Sequence, residues 1–457
     1  MTQNEALNIL KTGACVFLTG EPGAGKTHTI NAFVSYLREH DIEPAITAST
    51  GIAATHIGGM TIHSWSGIGI KETLSAQELD KIASSEYVNR RIRKTKVLII
   101  DEISMLRADT LDMVDAVCRE IKQNSEPFGG IQVILVGDFF QLPPIFKREV
   151  ATKQNALLSQ KKVHFAFESN AWGRLKPVVC YITEQHRQDD SSFLELLSAI
   201  RTDTVEEEHY EYMKERFIEK TEIPENTTKL YSHNLDVDKV NDMMLEKITD
   251  EESFPFIMDS EGNEALVAML KKGCLSPEVL NLKRGAVVMC TKNNQKEHFV
   301  NGTLGIVEEF DSISGNPIIK TRSGKKIEIS PMEWVVEENG KVKAMISQVP
   351  LRLAWAVTIH KSQGMSMDAA VMDLSNVFEF GQGYVALSRV RRLSGLYLLG
   401  MNHQALKVHP QILEQDKIFR TESDAAEITF GKLSKTELNK MHKNFVVALG
   451  GEWKDKK

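Results

Sequence analysis

Gly20-Glu21-Pro22-Gly23-Ala24-Gly25-Lys26-Thr27 is the stretch on which the reading of this chain turns. The run before it, Val16-Phe17-Leu18-Thr19, has the composition of a buried strand. After it, Ile30, Phe33, Val34 and Leu37 stand at i, i+3, i+4 and i+7, one face of a helix. A glycine-rich turn between a strand and a helix lets successive backbone N–H groups wrap a phosphate at the positive end of the helix dipole. Here Gly23, Ala24 and Gly25 supply the wrapping backbone. Lys26 brings a point charge to the β- and γ-phosphates, and Thr27 a hydroxyl to Mg²⁺. A purely structural turn is the alternative, and the strand and helix around the motif argue against it. ATP and Mg²⁺ are therefore the expected substrate and metal.

Outward from this motif the chain alternates. Strand-like runs recur near Ala45-Ile46-Thr47, at Val97–Ile100 and at Ile131–Val136, and Leu111, Val114, Val117, Cys118 and Ile121 mark a helix between the last two. Strands alternating with helices imply a doubly wound parallel α/β sheet. The pattern restarts after Pro177 with a strand at Val178–Ile182, a helix carrying Phe193, Leu196, Leu197 and Ile200, and a strand at Lys229–Ser232, which reads as a second α/β unit. From Arg284 to Ile346 short β-like pieces are split by turn signals such as Ser314-Gly315-Asn316-Pro317, an all-β insertion. The α/β texture returns at Leu351, and after His409 the chain is charged and helical. The expected domains are residues 1–175 with a small insertion at 66–94, then 176–283 joined to 347–410, the β insertion at 284–346, and a helical extension at 411–457.

The bulk composition narrows the classes. The chain has 457 residues, 42% hydrophobic and 26% charged, which is globular rather than disordered or fibrous. No apolar run approaches the ~18 residues of a membrane span, and the N-terminal residues lack the pattern of a secretory or transit leader. Five scattered cysteines with no Cys-x-x-Cys pair speak against a zinc site or a disulfide framework and fit a reducing cytoplasm. The net charge of −7 leaves room for a nucleic-acid partner only through a local basic groove.

Three further runs carry chemistry. Asp101-Glu102 ends the apolar strand Val97–Ile100, where a nucleotide-binding sheet faces its phosphates. Asp101 is the candidate for holding Mg²⁺ through its water shell, and Glu102 for taking the proton of the attacking water. An ordinary acidic helix start is the bland reading. Gly137-Asp138-Phe139-Phe140-Gln141-Leu142-Pro143-Pro144 ends the next strand, and the amide of Gln141 is placed to sense a γ-phosphate. Late in the chain, Arg389 of Tyr384-Val385-Ala386-Leu387-Ser388-Arg389 and, earlier, Arg187 of Glu184-Gln185-His186-Arg187-Gln188 are two candidates for an arginine that answers the γ-phosphate. Taken by itself, either arginine reads first as a surface ion-pair partner. Loss of Arg389 is expected to leave the fold intact.

Read in order, the runs at Gly20–Thr27, Ala48-Ser49-Thr50-Gly51-Ile52-Ala53-Ala54, Thr61-Ile62-His63-Ser64, Asp101-Glu102-Ile103-Ser104-Met105, Gly137–Pro144, Gln185–Gln188, Val300-Asn301-Gly302, His360-Lys361-Ser362-Gln363-Gly364 and Gln382–Arg389 resemble the motif series of the Pif family of helicases, superfamily one, subgroup B, with the RecD type as nearest relative. The motifs run from about residue 13 to residue 400, and the chain resembles bacterial members more than nuclear or mitochondrial ones. The resemblance implies two RecA-like domains with ATP in the cleft between them, an SH3-like barrel at the β insertion, and 5′-to-3′ movement. It implies single-stranded and forked or structured DNA as partners, a monomer, no membrane, and a cytoplasmic, nucleoid-associated location. Gly23, Gly25, Lys26, Thr27, Asp101, Glu102, Gln141, Arg187, Gly364 and Arg389 match its nucleotide-site positions. Thr50, Gly51, His63, Ser64, Phe139, Pro143, Asn301, Gly302, His360, Lys361 and Ser362 match motifs along its DNA path. For these the bland alternatives are packed core histidines at His63 and His360 and a helix cap at Thr50. The family's adenine-reading glutamine should precede the phosphate loop. Gln3 is the only glutamine there, and its spacing leaves that role open. The basic end of the 66–94 insertion (Arg90, Arg91, Arg93, Lys94) is either a strand-splitting wedge or a solvated face. The expected activity is an ATP-driven DNA helicase. The rivals are an ATPase that remodels RNA or protein–nucleic acid complexes without processive unwinding, and a nucleotide switch.

Overall fold

The computed structural model describes the whole chain except residues 57–58, 70, 145–163, 185–189, 225–226, 232–236, 250, 295, 298, 300, 322–323, 339–340, 361 and 455–457. The chain forms two compact units. The first holds residues 1–50, 59–186 and 414–457, and the second residues 51–58 and 187–413. Among the described residues no helix is long and apolar enough to cross a membrane.

The first unit begins with α1 (Gln3–Leu10), started by a capping box between Thr2 and Glu5. Then come β1 (Val16–Gly20), α2 (Lys26–Glu39) and β2 (Ala45–Ala48). α3 (Gly51–His56) belongs to the second unit. Back in the first unit lie β3 (Met60–Thr61), α4 (Ile62–Ser66), α5 (Ala76–Ala83), α6 (Glu86–Lys94), β4 (Val97–Asp101), α7 (Ala108–Lys122), β5 (Gln132–Val136), α8 (Asn170–Leu175) and β6 (Val178–Ile182). All six strands are parallel, in the order β3-β2-β4-β5-β1-β6. Every residue of β1 and β5 is buried, as a sheet covered on both faces requires. Ile30, Phe33, Val34 and Leu37 of α2 pack onto one side, as their spacing foretold. Because β4, β5 and β1 are neighbours, their C-terminal ends bring three separated motifs to one edge.

One expectation is corrected. The strand after Pro177 does not open the second unit. It is β6, paired with β1 from Val16↔Val178 to Gly20↔Ile182. A continuous apolar strand carries no mark of the sheet it will join, so alternation alone misassigned it.

The second unit has α9 (Ser191–Thr202), α10 (Glu207–Lys214), β7 (Lys229–Tyr231), α11 (Val237–Glu246), β8 (Phe254–Ile257), β9 (Asp259–Gly262), α12 (Glu264–Gly273), β10 (Val279–Leu282), β11 (Val287–Cys290), β12 (Leu304–Phe310), β13 (Pro317–Thr321), β14 (Lys326–Glu328), β15 (Met332–Glu338), β16 (Lys341–Gln348), β17 (Leu351–Leu353), β18 (Ala356–Thr358), β19 (Ala370–Leu374), α13 (Gln382–Leu387) and β20 (Leu396–Met401). A parallel sheet, β18-β7-β19-β20, is its α/β part. The antiparallel part has sheets β14-β13-β12-β11-β17, β15-β16-β9 and β10-β8. It begins at Phe254, some thirty residues before the change of texture at Arg284, because β8 and β9 pair with strands far downstream.

The chain ends in α14 (Pro410–Gly431) and α15 (Lys435–Ala448). From Glu414 onward this segment is built into the first unit. Phe445 and Val446 lie in its core, and His442 Nε2 sits 3.0 Å from the Asn8 carbonyl oxygen.

Candidate active site

Gly23 and Gly25 both take left-handed backbone, at φ 92° and 88°, which glycine adopts without a Cβ clash. Gly25 also stands where a Cβ would come 2.1 Å from Gln3 Nε2. The loop therefore curls tightly, with the N-terminus of α2 at its end. Lys26 Nζ donates to the carbonyls of Gly20 and Glu21, at 2.7 and 3.1 Å. Its ammonium is thus held at the loop by weak neutral acceptors that phosphate oxygens can replace. Thr27, next on α2, is exposed.

At the end of β4, burial pushes the Asp101 carboxyl above its usual range. The Glu102 N–H, donating to Oδ1 at 2.9 Å, and the Lys26 charge oppose that push. Glu102 has φ 52° and ψ 46°. A left-handed conformation costs a residue with a Cβ on the order of 1–3 kcal/mol, and such strain gathers at functional sites. Past β5, Asp138–Gln141 forms a tight turn. The Gln141 N–H donates to the Asp138 carbonyl at 3.0 Å, and Gln141 Nε2 reaches the Asp138 carboxylate at 3.4 Å.

No group of three or more His, Cys, Asp or Glu side chains suited to hold a metal occurs among the described residues. Mg²⁺ takes one or two protein oxygens and completes its shell with phosphates and water. The Thr27 hydroxyl and the Asp101 carboxylate fit this donor set.

Sequence reasoning left Gln3 open. The structure puts its amide on the phosphate loop, with Nε2 donating to the Ala24 carbonyl at 3.2 Å while the Gln3 N–H donates to Glu184 at 2.7 Å. The capping box at Thr2 was the only signal, since it starts a helix that brings residue 3 back to the loop.

The residues matched to the DNA path fall in several settings. His63 and Ser64 lie on α4, whose first turn is capped by Thr61, and Ser64 is exposed. Burial holds the His63 imidazole below its usual pKa, and does the same at His360. Arg91 of the basic stretch donates to the carbonyls of Ser64 and Trp65, so this arginine braces α4. Phe139 is 5% exposed and sits among aromatic rings, and Pro143 is buried too. The Phe139 ring is therefore spent in the core of the first unit. Thr50 is half-buried, and Gly51 opens α3 where a Cβ would meet the Gly273 Cα at 3.2 Å.

In the second unit, Asn301-Gly302 and the run after His360 are brought together. Gly302 has φ 92°, and a Cβ there would strike the Ser366 carbonyl at 2.7 Å. Ser362 is fully buried, its hydroxyl donating to the Ile359 carbonyl. Gly364, at φ 78°, is exposed in the same turn. Arg389 is 1% exposed. It donates through Nε to the Val385 carbonyl (2.7 Å), through Nη1 to the Ser362 and Met365 carbonyls (3.3 and 3.4 Å) and through Nη2 to Ser388 Oγ (2.7 Å). The expectation that this arginine contributes little to the fold is therefore overturned: it ties the 362–365 turn to the end of α13. Arg187 and Lys361 lie outside the described residues.

Comparison with known proteins bears on this arrangement. A family model described as PIF1-like helicase matches residues 3–211, and one described as DNA helicase Pif1, 2B domain, matches residues 266–310. An ATP-dependent DNA helicase Pif1 from Psychrobacter sp. is 39% identical over 509 residues, an alignment covering 99% of this chain and 75% of that protein. The chain belongs to the PIF1-like helicase family. Among solved structures, Pif1 from Bacteroides sp. in complex with ADP-AlF4 superposes with a TM-score of 0.78 at 29% identity, covering 92% of this chain and 97% of that one. The Bacteroides Pif1 helicase in complex with ADP-AlF3 and single-stranded DNA matches with a TM-score of 0.61 at 30% identity, over 92% and 97% of the two chains. This PIF1-like helicase spans 61–64% of the length of its vertebrate relatives. Its two parallel sheets are the RecA-like domains that the sequence resemblance implied, and its antiparallel strands overlap the stretch matched as the 2B domain.

Proposed function

We propose that this PIF1-like ATP-dependent DNA helicase moves 5′-to-3′ on single-stranded DNA as a monomer and unwinds forked or structured DNA ahead of it. The observation that carries the reading is the shared sheet edge. Neighbouring strands β1, β4 and β5 end in a phosphate loop with its lysine, an acidic pair with Glu102 in strained backbone, and a turn presenting an amide.

In this mechanism the loop N–H groups and Lys26 grip the β- and γ-phosphates. Thr27 and Asp101 hold Mg²⁺, which supplies charge neutralisation at the phosphates when bound. Glu102 orients the attacking water and accepts its proton, and Gln141 reports the presence of the γ-phosphate to the turn it sits in. Arg389 is the arginine proposed to answer the charge developing on the γ-phosphate. To do so it must exchange some of its bonds to carbonyls for bonds to phosphate. Gln3, whose amide bonds to the phosphate loop, is the residue assigned to the adenine. Strand contact is assigned to Thr50, Gly51, His63, Ser64, Asn301, Gly302 and His360, several of them through backbone groups. Gripping and releasing the strand at different steps of the ATP cycle converts turnover into travel.

The direction draws on the family resemblance of the Asp101–Met105 and Gly137–Pro144 runs. Strand displacement followed over time on a duplex with a 5′ tail and on one with a 3′ tail tests it, with Lys26→Ala as the inactive control. Unwinding of the 5′-tailed duplex alone is expected. Preferential unwinding of the 3′-tailed duplex would reverse the direction and leave the motor intact, and ATP turnover on either strand without displacement would favour the remodelling ATPase.

A further inference from the structure

A packed group of rings joins the C-terminal helices to the nucleotide edge of the first unit. Phe419 of α14 lies 4.9 Å, centroid to centroid, from Phe17 of β1, the strand that carries the phosphate loop. It lies 6.0 Å from Phe139 and stacks on it with 21° between the planes. Phe167 and Trp172 close around Phe139 at 5.0 and 6.1 Å. α14 is moored beside this group on β6. Arg420 Nη2 donates to the Tyr181 hydroxyl at 2.7 Å with its guanidinium 4.2 Å over the ring, and Ser423 Oγ accepts the Tyr181 N–H at 3.0 Å.

Phe139 is the second residue of the Asp138–Gln141 turn. The Phe140 N–H donates to the Asp138 carboxylate at 3.2 Å, so the turn is closed by its own first residue. The Phe139 side chain, buried next to the equally buried Phe140, ties the turn to this group of rings, and interiors this densely packed transmit small shifts. We infer that Phe419 is a positioning residue for the γ-phosphate sensor: through Phe139 it holds the Asp138–Gln141 turn at the height of the phosphate loop. The inference rests on the proposed sensor role of Gln141. The competing account makes Phe419 a hydrophobic anchor for α14 and nothing more. Phe445 of α15 is such an anchor, buried in the core of the same unit, where a Cβ at Gly13 would come 2.6 Å from its ring.

The test is steady-state ATPase of the full chain, saturated with oligo(dT), at a temperature well below each variant's melting midpoint. Phe419→Ala should lower kcat by roughly 10- to 100-fold, the scale of a small misplacement of a reacting group, with little change in the KM for ATP. Phe419→Leu, which restores most of the volume, should recover much of that kcat. Phe445→Ala should keep kcat near wild type. In the double variant Phe419→Ala/Gln141→Ala, kcat should be no lower than in Gln141→Ala alone, since residues acting through one another do not add. An unchanged kcat in Phe419→Ala, an equal fall in Phe445→Ala, or losses that multiply in the double variant would each overturn the inference while sparing the sensor reading. Full turnover in Gln141→Ala would remove the sensor reading and the inference with it. Should Phe419→Ala fail to fold, Phe419→Leu in the same cycle with Gln141→Ala decides.

Discussion

The two units treat their motif residues differently. In the first, the chemical groups stand at the ends of strands that others have already packed. Thr27 is exposed, Lys26 rests on two loop carbonyls, and Glu102 is half-buried in strained backbone. In the second, motif residues are themselves the packing. Ser362 and Gln382 are fully buried, and Arg389 spends its donors on three carbonyls and a hydroxyl of its own unit. Chemistry and stability are therefore separable at Lys26, Thr27 and Glu102 and entangled at Arg389. A substitution at one of those three should cost turnover alone, whereas one at Arg389 should cost turnover and stability together.

The largest effect expected is at Glu102. Glu102→Gln keeps size and backbone and still accepts a hydrogen bond through its amide oxygen, but its amide cannot take the water's proton. Hydrolysis should be lost, ATP binding retained, and the melting midpoint unchanged. Measured by nucleotide binding, single-turnover hydrolysis and thermal unfolding, a variant that melted markedly lower would erase the contrast between the units.

Next comes Arg389→Ala. Turnover should fall by about 10³-fold or more if the guanidinium serves the γ-phosphate. Unlike Glu102→Gln, this variant should also lose stability, by about 2–4 kcal/mol, because it empties a buried site and strands the acceptors the arginine satisfied. Denaturant unfolding alongside ATPase reads both. A stability loss with normal turnover would leave Arg389 as a brace only and move the phosphate role to Arg187.

The smallest effect is that of pH. His63 and His442 in the first unit and His360 in the second have imidazoles held below the ordinary value of 6.5 by burial. Above about pH 7 both folded and unfolded forms are neutral at these positions, and they contribute nothing to pH dependence. As pH falls below 6.5 the unfolded chain takes up protons first, so stability is lost. The melting midpoint should drop by about a few degrees between pH 7.5 and 5.5 from this source. His360→Asn should flatten the slope of the melting midpoint against pH, and an unaltered slope would show that His360 is not held neutral.

The strand, glycine-rich loop and helix at residues 16–39 were legible in the sequence because each depends on neighbours within a few positions. Apolar spacing sets the helix face, and glycines permit the left-handed turn. The acidic pair and the Gln141 run were legible for the same reason, as ends of short apolar strands. Three things only the tertiary structure decided. β6 joins β1 rather than the second unit, because strand pairing is settled by partners far away in the chain and any buried apolar strand suits either sheet. Arg389 is buried, because the carbonyls that pay its desolvation belong to a turn more than twenty residues upstream as well as to its own helix. And Phe419, in a charged helical tail with no motif, closes on Phe17 and Phe139, because dense packing selects side chains by shape and position in space, and sequence separation leaves no trace of either.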